Sequence, residues 1–369
     1  MEYELFAHIN QVGVYLSKNI SQRLMTAIKA TLRIQIGGME SLHSALHHST
    51  NKKSIYIEQY THNDLKDAEI VPGAYIFSNG TLYDLKRRIS LRISDDGVYF
   101  GLSHTFRFSI HFLYHLCAIE CGLTFIHAAG FDINGKNILV PAFGGIGKTT
   151  LVSQILNQRS GKIYGDDLIL VDKERRMYPY LRPLCLYRYH YKSMLGKLLK
   201  WRLYYLKPSL IWRALLRLRF EILNRLGIEV LNVSRIGYAN GYITVPVSAL
   251  ADAEQIGRGS RSIDIVIVIK RVDRDQIRIS RLIEEESLYG AAHYVSGILA
   301  HEWAEYFRML SAYYSLKKKK LSSYFCETEK IVENLLCCTP LVFEMCIPID
   351  YCPTETLKRI QEIAEESTC

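Results

Sequence analysis

The stretch Ala142-Phe143-Gly144-Gly145-Ile146-Gly147-Lys148-Thr149-Thr150 constrains this chain more than any other. Before it, Asn137-Ile138-Leu139-Val140 is a short apolar run led in by Asn134-Gly135-Lys136, the mark of a turn and a buried strand. Behind it, Leu151, Ile155 and Leu156 fall at helical spacing. A glycine loop between strand and helix is the setting in which G-x-x-x-x-G-K-[ST] acquires a mechanism. Its backbone N–H groups converge on phosphate oxygens, and the helix N-terminus adds partial positive charge. The predicted phosphate cradle is Gly144, Gly145, Ile146, Gly147, Lys148, Thr149 and Thr150. Lys148 would reach the β and γ phosphates, and the Thr149 hydroxyl would complete a magnesium shell. Ala142 replaces the first glycine of the pattern, which the loop tolerates if φ is negative there.

The chain can support such a site. Its 369 residues are 49% apolar, enough for one large or two ordinary domains, and 22% charged residues with 11% aromatics argue against disorder. The nine cysteines are odd in number and form no C-x-x-C pair, so buried or idle thiols are expected rather than disulfides or zinc. No charged leader with an apolar core opens the chain, and the apolar run from Ile110 to Ile126 is interrupted by His111, His115 and Glu120. A cytoplasmic protein is expected. The formal charge of +9 predicts an acidic partner.

Residues 1 to 60 show no clear period. From Ser54 short alternating stretches with turns at Asn79-Gly80 and Asp95-Asp96-Gly97 predict hairpins, giving a β-rich N-terminal region over 1–105. Phe106 to Cys121 reads as an amphipathic helix ended by Gly122, and Leu123 to Ile133 as a strand pair feeding the loop. Taken by itself, His127 fits a core histidine satisfied by hydrogen bonds. Lys162 to Val171 reads as a strand carrying Asp166 and Asp167 at a break. Adjacent acids fit a solvated turn; behind a phosphate loop, one can hold magnesium through water while the other accepts a hydroxyl proton.

The segment 182–235 is crowded with Arg, Lys and aromatic residues; from Arg182 to Arg225 its single acid is Glu221. It predicts helices with a basic face, either simply solvated or able to dock an acidic peptide or an anionic membrane surface, which would make the protein peripheral to a membrane. No base-reading module points to nucleic acid. Ile263 to Ile269 reads as a core strand. Before it, Arg258 and Arg261 lie on a glycine-flexed loop, where an arginine can stabilise charge on a transferring phosphoryl group or simply face solvent. Glu284, Glu285 and Glu286 open a helix, and a closing helix covers Thr354 to Glu365.

Taken in order, His127-Ala128-Ala129, the phosphate loop and Gly165-Asp166-Asp167 resemble the catalytic region of HPr serine kinase/phosphorylase and its relatives, including lasso-peptide-tailoring kinases. ATP-dependent phosphoenolpyruvate carboxykinase has a similar order. The resemblance implies an α/β fold: a P-loop kinase core with a mixed sheet over 106–369, carrying the basic helical insertion at 182–235. It also implies that Lys148 and Thr149 bind phosphates and metal, and that Asp166 is the metal-linked residue and catalytic base with Asp167 assisting. His127 would stand beside the phosphates, and Arg258 or Arg261 would serve the site. The expected activity is an ATP- and magnesium-dependent kinase moving the γ-phosphoryl group to a hydroxyl of a protein, a peptide or a small metabolite. Family analogy also implies a homo-oligomer. The alternative is a non-catalytic nucleotide-binding module whose basic segment docks an acidic partner.

Overall fold

The computed structural model describes residues 2–9, 12–36, 53–61, 69–71, 75–103, 109–187, 242–247, 250–273, 275–317, 321–349 and 353–367. Most of the basic segment, from 188 onward, lies outside them.

Eight strands form the first sheet: β1 (Tyr3–Ile9), β2 (Val12–Ser17), β3 (Ser54–Gln59), β4 (Glu69–Val71), β5 (Tyr75–Ser78), β6 (Thr81–Asp84), β7 (Ile89–Ser94) and β8 (Gly97–Leu102), in the order β1-β2-β3-β8-β7-β6-β5-β4. The expected turn between β5 and β6 is built as its sequence dictates, with Asn79 and Gly80 at φ 50° and 76°. In β3, Ile55 and Ile57 face the core while Tyr56 faces outward, stacked between Tyr15 and Tyr99 on the neighbouring strands. The strands β1 and β2 went unread because β2 is buried along nearly its whole length, which removes the alternation that reveals a strand.

Helix α1 (Gln22–Ile36) follows β2, and α2 (Ile110–Ala118) leads into the rest of the chain. All nine residues of α2 are buried, so it is a core helix rather than the amphipathic one expected. A short 3-10 turn then ends at Gly122, φ 72°.

Next come β9 (Leu123–Ile126), β10 (Ala128–Ile133), β11 (Lys136–Pro141), α3 (Lys148–Gln158), β12 (Gly161–Gly165), β13 (Ile169–Asp172), β14 (Arg176–Tyr178), β15 (Leu184–Tyr187), β16 (Tyr242–Val245), β17 (Arg261–Ser262), β18 (Ile265–Val272) and β19 (Arg278–Arg281). The chain closes through α4 (Glu285–Glu302), α5 (Ala304–Leu316), α6 (Leu321–Cys338), β20 (Leu341–Pro348) and α7 (Pro353–Glu366). A six-stranded sheet runs β12-β10-β11-β18-β20-β19, a four-stranded sheet runs β17-β14-β13-β9, and β15 pairs with β16. The six-stranded sheet is mixed, with β11, β18 and β20 parallel neighbours while β10 runs antiparallel to β11 and β12; the four-stranded sheet is antiparallel throughout. In β18 five consecutive residues, Ile265 to Ile269, are buried, as a strand with parallel partners on both sides requires.

Two breaks organise this half of the molecule. The chain leaves the four-stranded sheet for the six-stranded one between β9 and β10, at His127. It makes the reverse passage between β12 and β13, at Asp166 and Asp167. The expected single strand over 162–171 is therefore two strands in different sheets. Because β9 pairs with β13 and β10 with β12, the two passages lie side by side. No helix among the described residues is long and apolar enough to cross a membrane.

Candidate active site

The loop after β11 has the conformation its glycines permit. Ala142 is absent from the positive-φ residues and continues the strand as a bridge to Ile269. Gly145 and Gly147 adopt φ 80° and 100°, where a side chain would be strained, and Gly147 caps α3. Between them Ile146 is 7% exposed and pins the loop to the core, while Gly144 and Gly145 stay exposed. Thr150 lies in the first turn of α3. The Lys148 side chain bends back across the loop, its Nζ donating to Ala142 O at 2.8 Å and Phe143 O at 3.1 Å. From β18, Arg271 donates to Gly145 O at 3.1 Å.

The two sheet passages bring the remaining groups to this loop. Ala142 N–H donates to the His127 carbonyl. The Thr149 hydroxyl donates to Asp166 Oδ2 at 2.6 Å, so the first turn of α3 touches the first acid directly. His127 Nε2 lies 2.5 Å from Asp167 Oδ1, and Arg182 donates to Asp167 Oδ2 at 2.7 Å. Asp167 itself takes φ 75° to turn its carboxylate back towards the histidine.

Environment separates the two acids. Asp166 is 4% exposed, and its Oδ1 is buried with no hydrogen-bond partner among the described residues. Burial, and then the neighbouring Asp167 charge, push its carboxyl up to about 6. The Asp167 side chain is 44% exposed. Its partial burial acts to raise it, but the Arg182 guanidinium, the His127 contact and the Lys148 charge together outweigh this and hold it far below the usual carboxylate range.

Arg182 is the site residue that sequence reasoning placed elsewhere, at the head of the basic segment. Its position comes from long-range pairing: Tyr180 bridges Gly165, and Tyr180 N–H donates to Tyr164 O at 2.8 Å, which carries Arg182 over the second acid. Beneath it, buried His111 meets the Tyr180 hydroxyl at 2.6 Å. Arg258 and Arg261 are both exposed; Arg261 is in the edge strand β17 and lies near the Tyr164 hydroxyl. Among the described residues no hydrogen bond or ion pair joins either arginine to the loop or the acids.

The residues present suit a magnesium nucleotide. No cluster of three or more His, Cys, Asp and Glu that could hold a metal is present among the described residues. Magnesium, however, characteristically takes one or two carboxylates plus substrate phosphates rather than an all-protein cage. A buried carboxylate oxygen with no partner among the described residues, beside the first hydroxyl of the helix behind the glycine loop, fits that requirement.

No protein-family model matches the chain, and no curated protein sequence does. Comparison with solved structures pairs it with the Hpr(Ser) kinase/phosphatase from Coxiella burnetii at 13% identity, over 66% of this chain and 99% of that one. The TM-score is 0.28. A likeness of that size carries no argument, and the case rests on the site.

Proposed function

We propose that the protein is an ATP- and magnesium-dependent kinase that transfers the γ-phosphoryl group to a hydroxyl of a protein, peptide or small metabolite. The observation that carries this reading is the junction of Thr149 with Asp166, whose second oxygen is buried and has no partner among the described residues. Magnesium, when bound, neutralises charge across the β and γ phosphates. Thr149 and Asp166 would hold it.

The chain's own groups do the rest. The loop amides and the N-terminus of α3 bind phosphate oxygens, and Lys148 exchanges its two loop carbonyls for the β and γ phosphates. Asp167, the more accessible acid, receives the acceptor hydroxyl, while His127 and Arg182 fix its orientation. The acceptor oxygen forms its bond to phosphorus as the β–γ bridging bond breaks, ADP departs, and the hydroxyl proton passes to Asp167. A weakly basic carboxylate suffices because, in a loose transition state, the proton leaves late, when bond formation has already made it acidic. Dividing the roles in this way departs from the expectation that Asp166 both holds metal and acts as base. The basic segment 182–235 belongs to the same proposal as a docking surface for an acidic acceptor or an anionic membrane surface.

The test is transfer of label from ATP into extract proteins and metabolites, followed by mass spectrometry. Wild type labels an acceptor and Lys148→Ala does not. Asp166→Asn raises the magnesium concentration needed for half activity, whereas Asp167→Asn lowers kcat about 10²-fold or more with the magnesium requirement unchanged. Equal labelling by all four proteins rules out the kinase. Tight nucleotide binding with no labelled product in any of them supports the non-catalytic module instead.

A further inference from the structure

The buried residues of β18 alternate between two faces of the sheet. Ile265, Ile267 and Ile269 join the core that holds Leu151 and Ile155 of α3, whereas Val266 and Val268 pack with Ala291 and Val295 of α4. Where the apolar run ends, the same alternation separates two cations. Lys270 goes to the α4 side, where it pairs with Glu344 and lies 5.1 Å from the centroid of the Tyr294 ring. Arg271 continues the row that faces α3. Because Ile269 bridges Ala142, that row leaves the core at the level of the glycine loop, and the exposed Arg271 donates to Gly145 O at 3.1 Å. Lys148 occupies the Ala142 and Phe143 carbonyls of the same loop. Two cations from different elements are thus held on the loop by main-chain oxygens alone in these contacts. A carbonyl is a weak competitor for a guanidinium: hydrogen bonds between ionised groups are roughly twice as strong as neutral ones, and the planar fork of arginine matches phosphate oxygens.

We infer that Arg271 binds the terminal phosphate of the nucleotide, exchanging Gly145 O for it as the triphosphate enters. The assignment rests on the kinase reading and adds a residue to it: the role expected of Arg258 or Arg261 falls to an arginine that already touches the loop. Its approach selects the phosphate. The loop amides enclose the inner phosphates, whereas Arg271 reaches the loop from the neighbouring strand at its exposed rim, Gly144 and Gly145. The terminal phosphate also carries the largest charge, about −1.5 to −2.

The test is calorimetric titration of the full chain with the β,γ-imido analogue of ATP and with ADP, each with magnesium. Wild type binds both, and Lys148→Ala weakens both. Arg271→Gln weakens the triphosphate about tenfold or more and leaves ADP unchanged, the effect of one charge-assisted contact made only to the outermost group. Arg271→Lys retains part of the difference. Lys270→Gln removes the same charge one residue away on the opposite face and leaves both affinities unchanged. Arg271 is exposed, so its replacement leaves the core intact, and Arg271→Lys reports on the contact should the Gln variant misfold. If wild type binds both nucleotides and Arg271→Gln loses affinity for both equally, or for neither, the assignment falls while the kinase reading stands. A loss in Lys270→Gln matching that in Arg271→Gln would trace the effect to net charge and overturn the assignment as well. No binding of either nucleotide by wild type removes the kinase reading and this residue's role together.

Discussion

Arg182 turns an exposed acid into a fixed one. Replacing it with Gln removes the guanidinium from Asp167 Oδ2 and lets that carboxyl rise towards its ordinary range. Phosphoryl transfer should fall roughly 10²-fold with nucleotide affinity unchanged, as measured by single-turnover rates beside equilibrium titration. Arg182→Lys should recover only part, because an ammonium lacks the planar fork. Buried histidines impose a different residue-scale effect. His115 holds near 3 in the folded chain against about 6.5 unfolded, so below pH 6.5 the unfolded state takes a proton that the native state refuses. Its contribution is complete above pH 6.5 and lost as pH falls, by roughly 2 kcal/mol at pH 5. Asp166 runs the other way: raised to about 6, its contribution is present at low pH and lost as pH climbs through 6. Urea titrations between pH 7.5 and 5 should therefore show a shallower pH slope in His115→Gln than in wild type. An unchanged slope would mean that His115 titrates in the folded state.

At the scale of elements, the sheet passages demand close backbone approach. A Cβ on Gly165 would lie 2.7 Å from both Ile169 Cδ1 and the Tyr180 carbonyl, and the second of these cannot move cheaply. Gly165→Ala should destabilise by about 1–3 kcal/mol and lower transfer at least about tenfold, seen together in thermal melts and kinetics. This also explains what the sequence could and could not reveal. The strand, glycine loop and helix were legible because their signals are local: a turn, an apolar run, glycines and a lysine in one continuous stretch. His127 and Asp166-Asp167 were legible only as an order along the chain. Nothing local says that each stands where the chain changes sheets, because that is a property of the pairings of β9 with β13 and of β10 with β12. Arg182 was hidden for the same reason, its place set by a bridge between Gly165 and Tyr180. The glycine-flexed arginines drew attention through composition, yet Arg261 is tied to an edge strand by pairing with Met177.

At the scale of the whole molecule, the larger of two apolar clusters among the described residues runs from Val14 and Ile57 of the first sheet through Phe112 of α2 to Ile267 and Ile269 beside the glycine loop. Polar contacts reinforce it, among them Cys117 Sγ of α2 donating to Ser54 O of β3 and a clasp from α5. The Tyr313 hydroxyl of α5 accepts from Ile93 N–H and donates to Ile93 O, both at 2.9 Å, taking the place of a strand neighbour where β6 has ended. Unfolding should be one cooperative event, with far-ultraviolet circular dichroism and tryptophan fluorescence giving coincident urea transitions. Tyr313→Phe should lower stability by about 1–2 kcal/mol by stranding both backbone groups. Two separated transitions would show instead that the first sheet melts independently.

Since the histidine and the two acids occupy adjoining seams between two sheets, the angle at which those sheets meet sets the distance between them. Bulky Ile169 and Met177, packed against Gly130 beneath the seams, act as spacers for that angle. Trimming or enlarging either would shift the histidine and the acids without touching one of them, so the spacing on which the proposed transfer depends could drift through changes that resemble ordinary interior repacking.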